Sequence, residues 1–488
     1  MSWEELNLPD LNHRINGEKY NAIDEAKLNL IDPCTGDSYG EVAIASAITV
    51  EMAVSAAKGA LLNPEWADIP PIARETLMHK LANAMEADLE YMAALEALDT
   101  GRPLGITKTV DIPGAISWLR TYAGWPTKII GAHRDLATHP RQFHAYVRKE
   151  PVGVVAAITP WNFPLILSMF KIAPALAAGC TIILKPAPET PLSIFRFADL
   201  ATQVGFPAGV INVITGDGLN TGKSLVEHHG VAKVAFTGST ATGQSILAAS
   251  VPDLKRVTLE LGGKSPNIIF DDADLDAAIA QSAASCFFNT GQVCYAGTRL
   301  YVQRSVYEQV IIGLAEQAQQ TKIGPSWDET NTMGPLISLA QHQKVSAMVE
   351  RAKSQGIQAL TLTHTLPTQG YYFSPTVLRD VNNNTEIARE EVFGPVLSVI
   401  PFDTEDEVIS MANDSDFGLA AHVWTQNLNT AHRMSKSLQA GTVFVNCVLL
   451  ADPSMPFGGY KKSGLGRENG PEALEAYLET KSVVMSLN

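Results

Sequence analysis

The feature that most constrains the fold is an alternation that begins near Pro151 and runs almost to the C-terminus. Short β-rich runs are each followed by a turn and a helical stretch. VGVVAAIT, CTIILKP, GVINVITG, VAKVAFTG and RVTLELGG come first, between residues 152 and 263. Such runs read as strands, and strands that alternate with helices pair in parallel through crossovers, so a doubly wound parallel sheet is predicted. A second series, NIIF, RLYVQ, VLSVIPFD, AHVWTQ and GTVFVN, starts near Ser265, with helical segments such as DEVISMAND between its members. It predicts a second α/β domain. Ahead of both, apolar residues recur at three and four from about Thr49 to Thr100, which predicts two or more amphipathic helices stopped at Gly101. HRDLATHPRQFHAYVRKEP alternates polar and apolar residues and reads as a hairpin standing away from either core.

Bulk properties narrow the function. At 488 residues the chain suits two or three domains. A formal charge of −15 disfavours nucleic acid and anionic membranes as partners. Val152 to Ala178 is long and apolar, yet Pro160, Asn162, Pro164 and Lys171 within it predict a buried strand, loop and helix rather than a membrane span. Five cysteines, at 34, 180, 286, 294 and 447, form no C-x-x-C pair, and MSWEELNLPD is no secretory signal, so a reducing, cytoplasmic setting is expected. Eleven histidines form no H-E-x-x-H, and no metal site is expected.

Two glycine turns that follow predicted strands can present backbone N–H groups to phosphate. TGDGLNTGKS, with Gly216, Gly218 and Gly222, has one residue too many for G-x-G-x-x-G, and as a P-loop it puts Asp217 where the first glycine belongs. TGSTATGQS spaces Gly238 and Gly243 as a P-loop does, but Gln244 replaces the lysine. A nucleotide hydrolase built on Lys223 therefore fits poorly.

Three residues carry chemistry. A lone cysteine is ordinarily a small buried hydrophobe, but Cys294 in FFNTGQVCYAGTR lies between Gly291 and Gly297, in a turn that suits an exposed nucleophile. Glu260 ends the strand-like VTLELGG, facing opposite Leu259 and Leu261. There it is either a solvated strand-end residue or a carboxylate projecting into a cleft. Asn162, between Trp161 and Phe163 in ITPWNFP, is an amide in an apolar loop that needs a hydrogen-bond partner, from its own loop or from a ligand oxygen.

PWNFP, LELGGKSP, FFNTGQVCYAGTR, REEVFGPV and PFGGYKKSGLGRE, in this order, resemble the aldehyde dehydrogenase superfamily over essentially the whole chain. The resemblance implies a Rossmann-like dinucleotide-binding domain (1–131 and 152–261), an α/β catalytic domain (262–470) and a small β oligomerisation arm (132–151 and 471–488) in a homodimer or homotetramer. It implies Cys294 as nucleophile, Asn162 with the Cys294 N–H as oxyanion donors, Glu260 as the base that hydrolyses a thioester, and Lys171 as a support for the asparagine or a proton relay. A snorkelling structural lysine is the alternative reading of Lys171.

For the cofactor, the resemblance implies Lys185 at the adenosine ribose, Gly216 and Ser239 at the pyrophosphate, and Glu391 and Phe393 around the nicotinamide ribose. Thr159, Trp161 and Leu261 line the same channel. Many NAD-preferring relatives have Glu three residues after that lysine. Here Pro188 stands instead, which leaves NAD and NADP both open. Positions that resemble the substrate tunnel are Phe163, Leu167, Phe170, Phe288, Val293, Tyr295, Leu449, Ala451 and Phe457. They favour a small-molecule aldehyde that is hydrophobic or aromatic, since apolar burial supplies most of its binding. RTYAGWPTKIIG and ENGPEALEAYLETKSV are most similar to the phenylacetaldehyde dehydrogenase branch. Aliphatic or omega-amino aldehydes are the alternative.

Overall fold

The computed structural model describes residues 3–139, 142–360 and 364–487. Two large sheets organise the chain. In the first, strands Ile211–Val213, Thr181–Lys185, Val154–Ile158, Lys233–Thr237 and Arg256–Glu260 lie side by side in that order, all parallel. His13–Ile15 and Glu18–Tyr20 extend one edge antiparallel, and Gly464–Leu465 closes the other. Chain order runs outward from Val154–Ile158, then returns to its other side at Lys233–Thr237. The crevice beyond the carboxyl ends of these two strands is where such sheets take ligands.

The second sheet orders Thr376–Arg379, Val396–Phe402, Arg299–Gln303, Pro266–Ile269, Ala420–Trp424 and Thr442–Val445 in parallel, with Gln358–Ala359 antiparallel at one edge. Both faces of each sheet are covered. One apolar cluster joins Val155, Ile182 and Leu184 to helices Pro71–Ala87, Ile112–Ala123 and Pro164–Ala178, and another joins Val154, Ile183 and Val234 to helix Ala47–Leu62 on the opposite face. Burial on both sides explains why the strands read as continuous apolar runs.

The 152–178 stretch is a buried strand, a loop and a buried helix. Among the described residues no helix is long and apolar enough to cross a membrane. The helical periodicity of 49–100 resolves into helices Ala47–Leu62, Pro64–Ala67, Pro71–Ala87 and Leu89–Thr100, the last ended by Gly101 at φ 70°. In the expected hairpin, Ala132–His133 pairs antiparallel with Phe143–Pro151, and the C-terminal strand Leu478–Ser486 lies along the other side of Phe143–Pro151. Pro140 and Arg141, in the same expected hairpin, lie outside the described residues.

Candidate active site

Five residues, Leu261 to Ser265, join the carboxyl end of Arg256–Glu260 to the start of Pro266–Ile269. The cleft therefore opens where the first sheet's strands end and the second sheet's strands begin. Cys294 lies in the turn before Arg299–Gln303, and Glu391 and Phe393 precede Val396–Phe402. The linker's two glycines are required by this approach. A Cβ on Gly263 would lie 2.4 Å from the Cys294 carbonyl oxygen, and one on Gly262 would lie 2.5 Å from a Glu391 carboxyl oxygen. The Gly263 N–H donates to Glu391 at 3.1 Å.

A cavity of about 240 Å³ occupies the cleft. It brings together Trp161, Asn162, Ser239, Leu261, Cys294, Glu391 and Phe393 of the expected site. The rings of Trp161 and Phe393 meet edge to face at 5.2 Å. Gln341 and Lys344, on helix Leu339–Ser354, complete the wall. Sequence reasoning missed both, because nothing local distinguishes them from solvated helix residues.

Cys294 is half-buried. Burial first, then the Glu391 and Glu260 carboxylates, push its thiol well above the usual range, while the backbone N–H groups of Cys294 and Tyr295 pull it back. The turn before it is unusual: Asn289, Thr290 and Gly291 all take positive φ (49°, 55° and 72°), and Gly291 packs so tightly on Gly394 that a Cβ would come within 2.1 Å of that residue's carbonyl. Asn162 is buried, and its side-chain amide donates to the Gln292 carbonyl at 2.9 Å, which ties the two loops together.

Glu260 is 4% exposed, so it is not a solvated strand-end residue. Nor does its carboxyl line the cavity. It points toward Gly458, where a Cβ would lie 2.6 Å away. Burial, reinforced by Glu468, raises its pKa well above the usual carboxylate range, against the opposing pull of Lys171 and Arg467. Lys171 is fully buried, which removes the snorkelling reading. Its ammonium donates to Thr237 at 2.7 Å and pairs with Glu468. The Asn162 amide is on Gln292, and the contacts of the lysine are with Thr237 and Glu468. Glu468 has no signal beyond its place in GLGRE. That segment wraps Glu260, for Gly464 pairs with Glu260 and the Ser463 hydroxyl donates to the Gly262 carbonyl at 2.7 Å.

The other positions expected to meet the cofactor lie at the carboxyl ends of the strands of the first sheet. Thr159 follows Val154–Ile158, with its N–H on the Lys185 carbonyl at 3.1 Å. Lys185 ends its strand, and burial lowers its ammonium to about 8 against the pull of Glu189 and Asp217. Gly216 takes φ 143°, in a turn where a Cβ would overlap the Thr221 hydroxyl. The extra residue in this glycine turn is absorbed by one π turn, Gly218–Gly222, capped by Asp217. Lys223, just beyond, is exposed with Glu227 4.0 Å away, which is no phosphate cradle. The Ser239 hydroxyl caps the eleven-residue helix Thr240–Ser250, so a helix N-terminus faces the cavity. A positive helix end, a buried ammonium, a carboxylate on the cavity wall and an aromatic pair fit a dinucleotide.

Ring contacts link most of the expected tunnel. Phe163 stacks on Phe288 at 6.1 Å, Phe170 meets Phe457 at 6.2 Å, and Tyr295 meets Phe457 at 5.6 Å. Trp118 and Phe444 join this set through Phe170 and Tyr295. Leu167, Phe170 and Val293 are buried, and the first two also belong to the core under helix Pro164–Ala178. Leu449 and Ala451 lie on the loop after Thr442–Val445, half-buried and exposed respectively.

Comparison with known proteins agrees with this arrangement. Residues 20–483 match the model of the aldehyde dehydrogenase family. A phenylacetaldehyde dehydrogenase of Pseudomonas fluorescens is 43% identical, over 97% of this chain and 95% of that protein. An NADP/NAD-dependent aldehyde dehydrogenase, PuuC, of Escherichia coli K12 is also 43% identical, over 97% and 95%. The equal figures do not favour the phenylacetaldehyde branch over others. The NAD+ complex of an aldehyde dehydrogenase from Bacillus cereus superposes with a TM-score of 0.96 at 44% identity, covering 98% of this chain and 97% of that one. A cysteine and a carboxylate brought to one dinucleotide cleft thus have a common explanation: the chain belongs to the aldehyde dehydrogenase family and is an NAD(P)-dependent enzyme of that family.

Proposed function

We propose that the chain oxidises a hydrophobic, aromatic-type aldehyde to its carboxylic acid by way of a Cys294 thioester. The observation that carries this reading is the meeting of the Cys294 turn and the Asn162 loop in one cavity, with a high-pKa carboxylate close behind. The Cys294 thiolate attacks the aldehyde carbon, and a C–S bond forms as the carbonyl oxygen takes up the charge. Asn162 and the Cys294 N–H donate to that oxyanion. Trp161, Lys185, Ser239, Glu391 and Phe393 hold the cofactor, with Gly216, Thr159 and Leu261 shaping its channel. When bound, a nicotinamide supplies the acceptor for the hydride that leaves the carbon. Glu260 then takes a proton from water, whose oxygen attacks the thioester and expels the thiolate. Lys171 and Glu468 hold or pass on that proton.

The linked rings support the substrate class, because burying a phenyl group among them contributes about 25 cal/mol per square ångström. The guanidinium packed on these rings, Arg102 behind Phe163 and Phe288, is already paired with Asp111 and so is not available to anchor a substrate carboxylate. Five unpaired cysteines fit a reducing, cytoplasmic setting. The test is reduced-cofactor formation with phenylacetaldehyde, benzaldehyde and hexanal, each with NAD and NADP, for the native enzyme and Cys294→Ala. Phenylacetaldehyde is expected to give the highest kcat/KM, and Cys294→Ala to bind cofactor without turnover. Preference for hexanal would overturn the substrate class, and turnover by Cys294→Ala would overturn the nucleophile.

A further inference from the structure

Resting on the oxyanion reading above, we propose that Arg102 is a positioning residue that holds the Asn162 loop and the Cys294 turn in one geometry. Arg102 lies between helix Leu89–Thr100 and the short helix Leu104–Ile106, and is 2% exposed. Its guanidinium reaches both halves of the oxyanion cradle. One terminal nitrogen donates to the Asn162 backbone carbonyl, and Nε donates to Asn289 Oδ1 at 3.1 Å. The other terminal nitrogen pairs with Asp111, itself fully buried.

Asn289 closes the arrangement. Its side-chain nitrogen donates to the Asn162 carbonyl at 3.0 Å and to the Gln292 carbonyl at 3.3 Å, two residues before the nucleophile. The Asn162 amide donates to the same Gln292 carbonyl. A single planar cation therefore fixes the loop carrying one oxyanion donor and the turn carrying the other. Next to Asn289, the β-branched Thr290 is held at φ 55°, a strained conformation that needs such outside restraint. The guanidinium also lies 4.3 Å from the Phe163 ring centroid and 5.9 Å from that of Phe288, backing the stacked pair at the tunnel. Lysine could keep the charge opposite Asp111 but not the planar fork that reaches three acceptors at once. Donor placement matters steeply, since a shift of about 1 Å can cost a hundredfold in rate.

The experiment is a double-mutant cycle between Arg102→Lys and Asn162→Ala, reading kcat and both KM values with the best aldehyde of the panel, and the unfolding midpoint of each variant. Asn162→Ala is expected to lower kcat about a hundredfold, as loss of an oxyanion donor does. Arg102→Lys is expected to lower kcat roughly tenfold or more while the cofactor KM stays within about twofold. The double variant should be no slower than Asn162→Ala alone. If Arg102→Lys does not fold, Arg102→Met with Asp111→Leu removes the buried pair together and should show the same pattern. Native kcat in a folded Arg102 variant, or losses that multiply in the double variant, would overturn the proposal. Native kcat in Asn162→Ala is a separate outcome, which overturns the oxyanion reading itself.

Discussion

At the scale of single residues, the decisive fact is that Glu260 is held where its charged form is disfavoured. A base must be a carboxylate to accept a proton, so thioester hydrolysis rises as pH climbs through a pKa raised by burial. The Cys294 thiol is raised too, so acylation also gains with pH. The two separate kinetically: the pre-steady-state burst reports Cys294, and steady turnover after it reports Glu260. Glu260→Gln is expected to keep a burst of about one equivalent, lower steady turnover roughly a hundredfold or more, and flatten its alkaline rise. Stopped-flow absorbance from neutral to alkaline pH checks this, and an unchanged steady rate would remove Glu260 as base. Gly263→Ala should impair turnover about as strongly, because its new methyl meets the Cys294 carbonyl at 2.4 Å. Native activity in that variant would mean that the turn can move aside.

As candidates, Cys294, Glu260 and Asn162 were legible in the sequence, because each sits in a short run whose glycines, prolines and aromatics mark a turn and whose order along the chain resembles one family. Arg102 and Glu468 were not. Asn289, which accepts from Arg102, and Lys171, which pairs with Glu468, lie 187 and 297 residues away in the chain, and no local pattern encodes a contact made only by folding. Trp118 and Phe444 were missed in the reading of the tunnel because they meet Phe170 and Tyr295 only through the fold.

Among the elements, the strands were read well because burial on both faces writes itself as unbroken apolar runs. Less legible was the glycine turn after Ile211–Val213, whose extra residue weakened the dinucleotide signal until it folded as a π turn. The element most exposed to test is helix Thr240–Ser250, which begins at Ser239 with the side chain accepting from the Thr242 N–H at 3.3 Å. Removing that cap by Ser239→Ala is expected to cost about 1 kcal/mol of stability. If Ser239 also meets the pyrophosphate, the cofactor KM should rise several-fold with the aldehyde KM little changed. Thermal unfolding and a cofactor titration separate the two effects, and an unchanged cofactor KM would confine Ser239 to capping.

For the whole molecule, we propose the division into a dinucleotide-binding part, a catalytic part and an arm formed by 132–151 and 471–488. The arm's strands Phe143–Pro151 and Leu478–Ser486 pair along their full length, yet Val484, Met485 and Leu487 are 55%, 45% and 64% exposed. Apolar side chains left in water along a sheet favour a second subunit. Light scattering is expected to give a homodimer or homotetramer, and truncation after Tyr477 to give monomers. A monomeric native protein would refute the arm's role.

The linker of Leu261 to Ser265 has a consequence for how such an enzyme can be redesigned. It runs from the strand that ends in Glu260 to the sheet whose next strand follows the Cys294 turn, and its glycines leave no room for side chains. The tunnel rings come instead from dispersed segments around Trp118, Phe163, Phe288, Phe444 and Phe457. The seam between the sheets thus supplies none of these rings, although Phe163 adjoins Asn162 and Phe288 shares the run that leads to Cys294. New aldehydes can be courted by exchanging rings one at a time, while the five-residue seam between the sheets stays untouched.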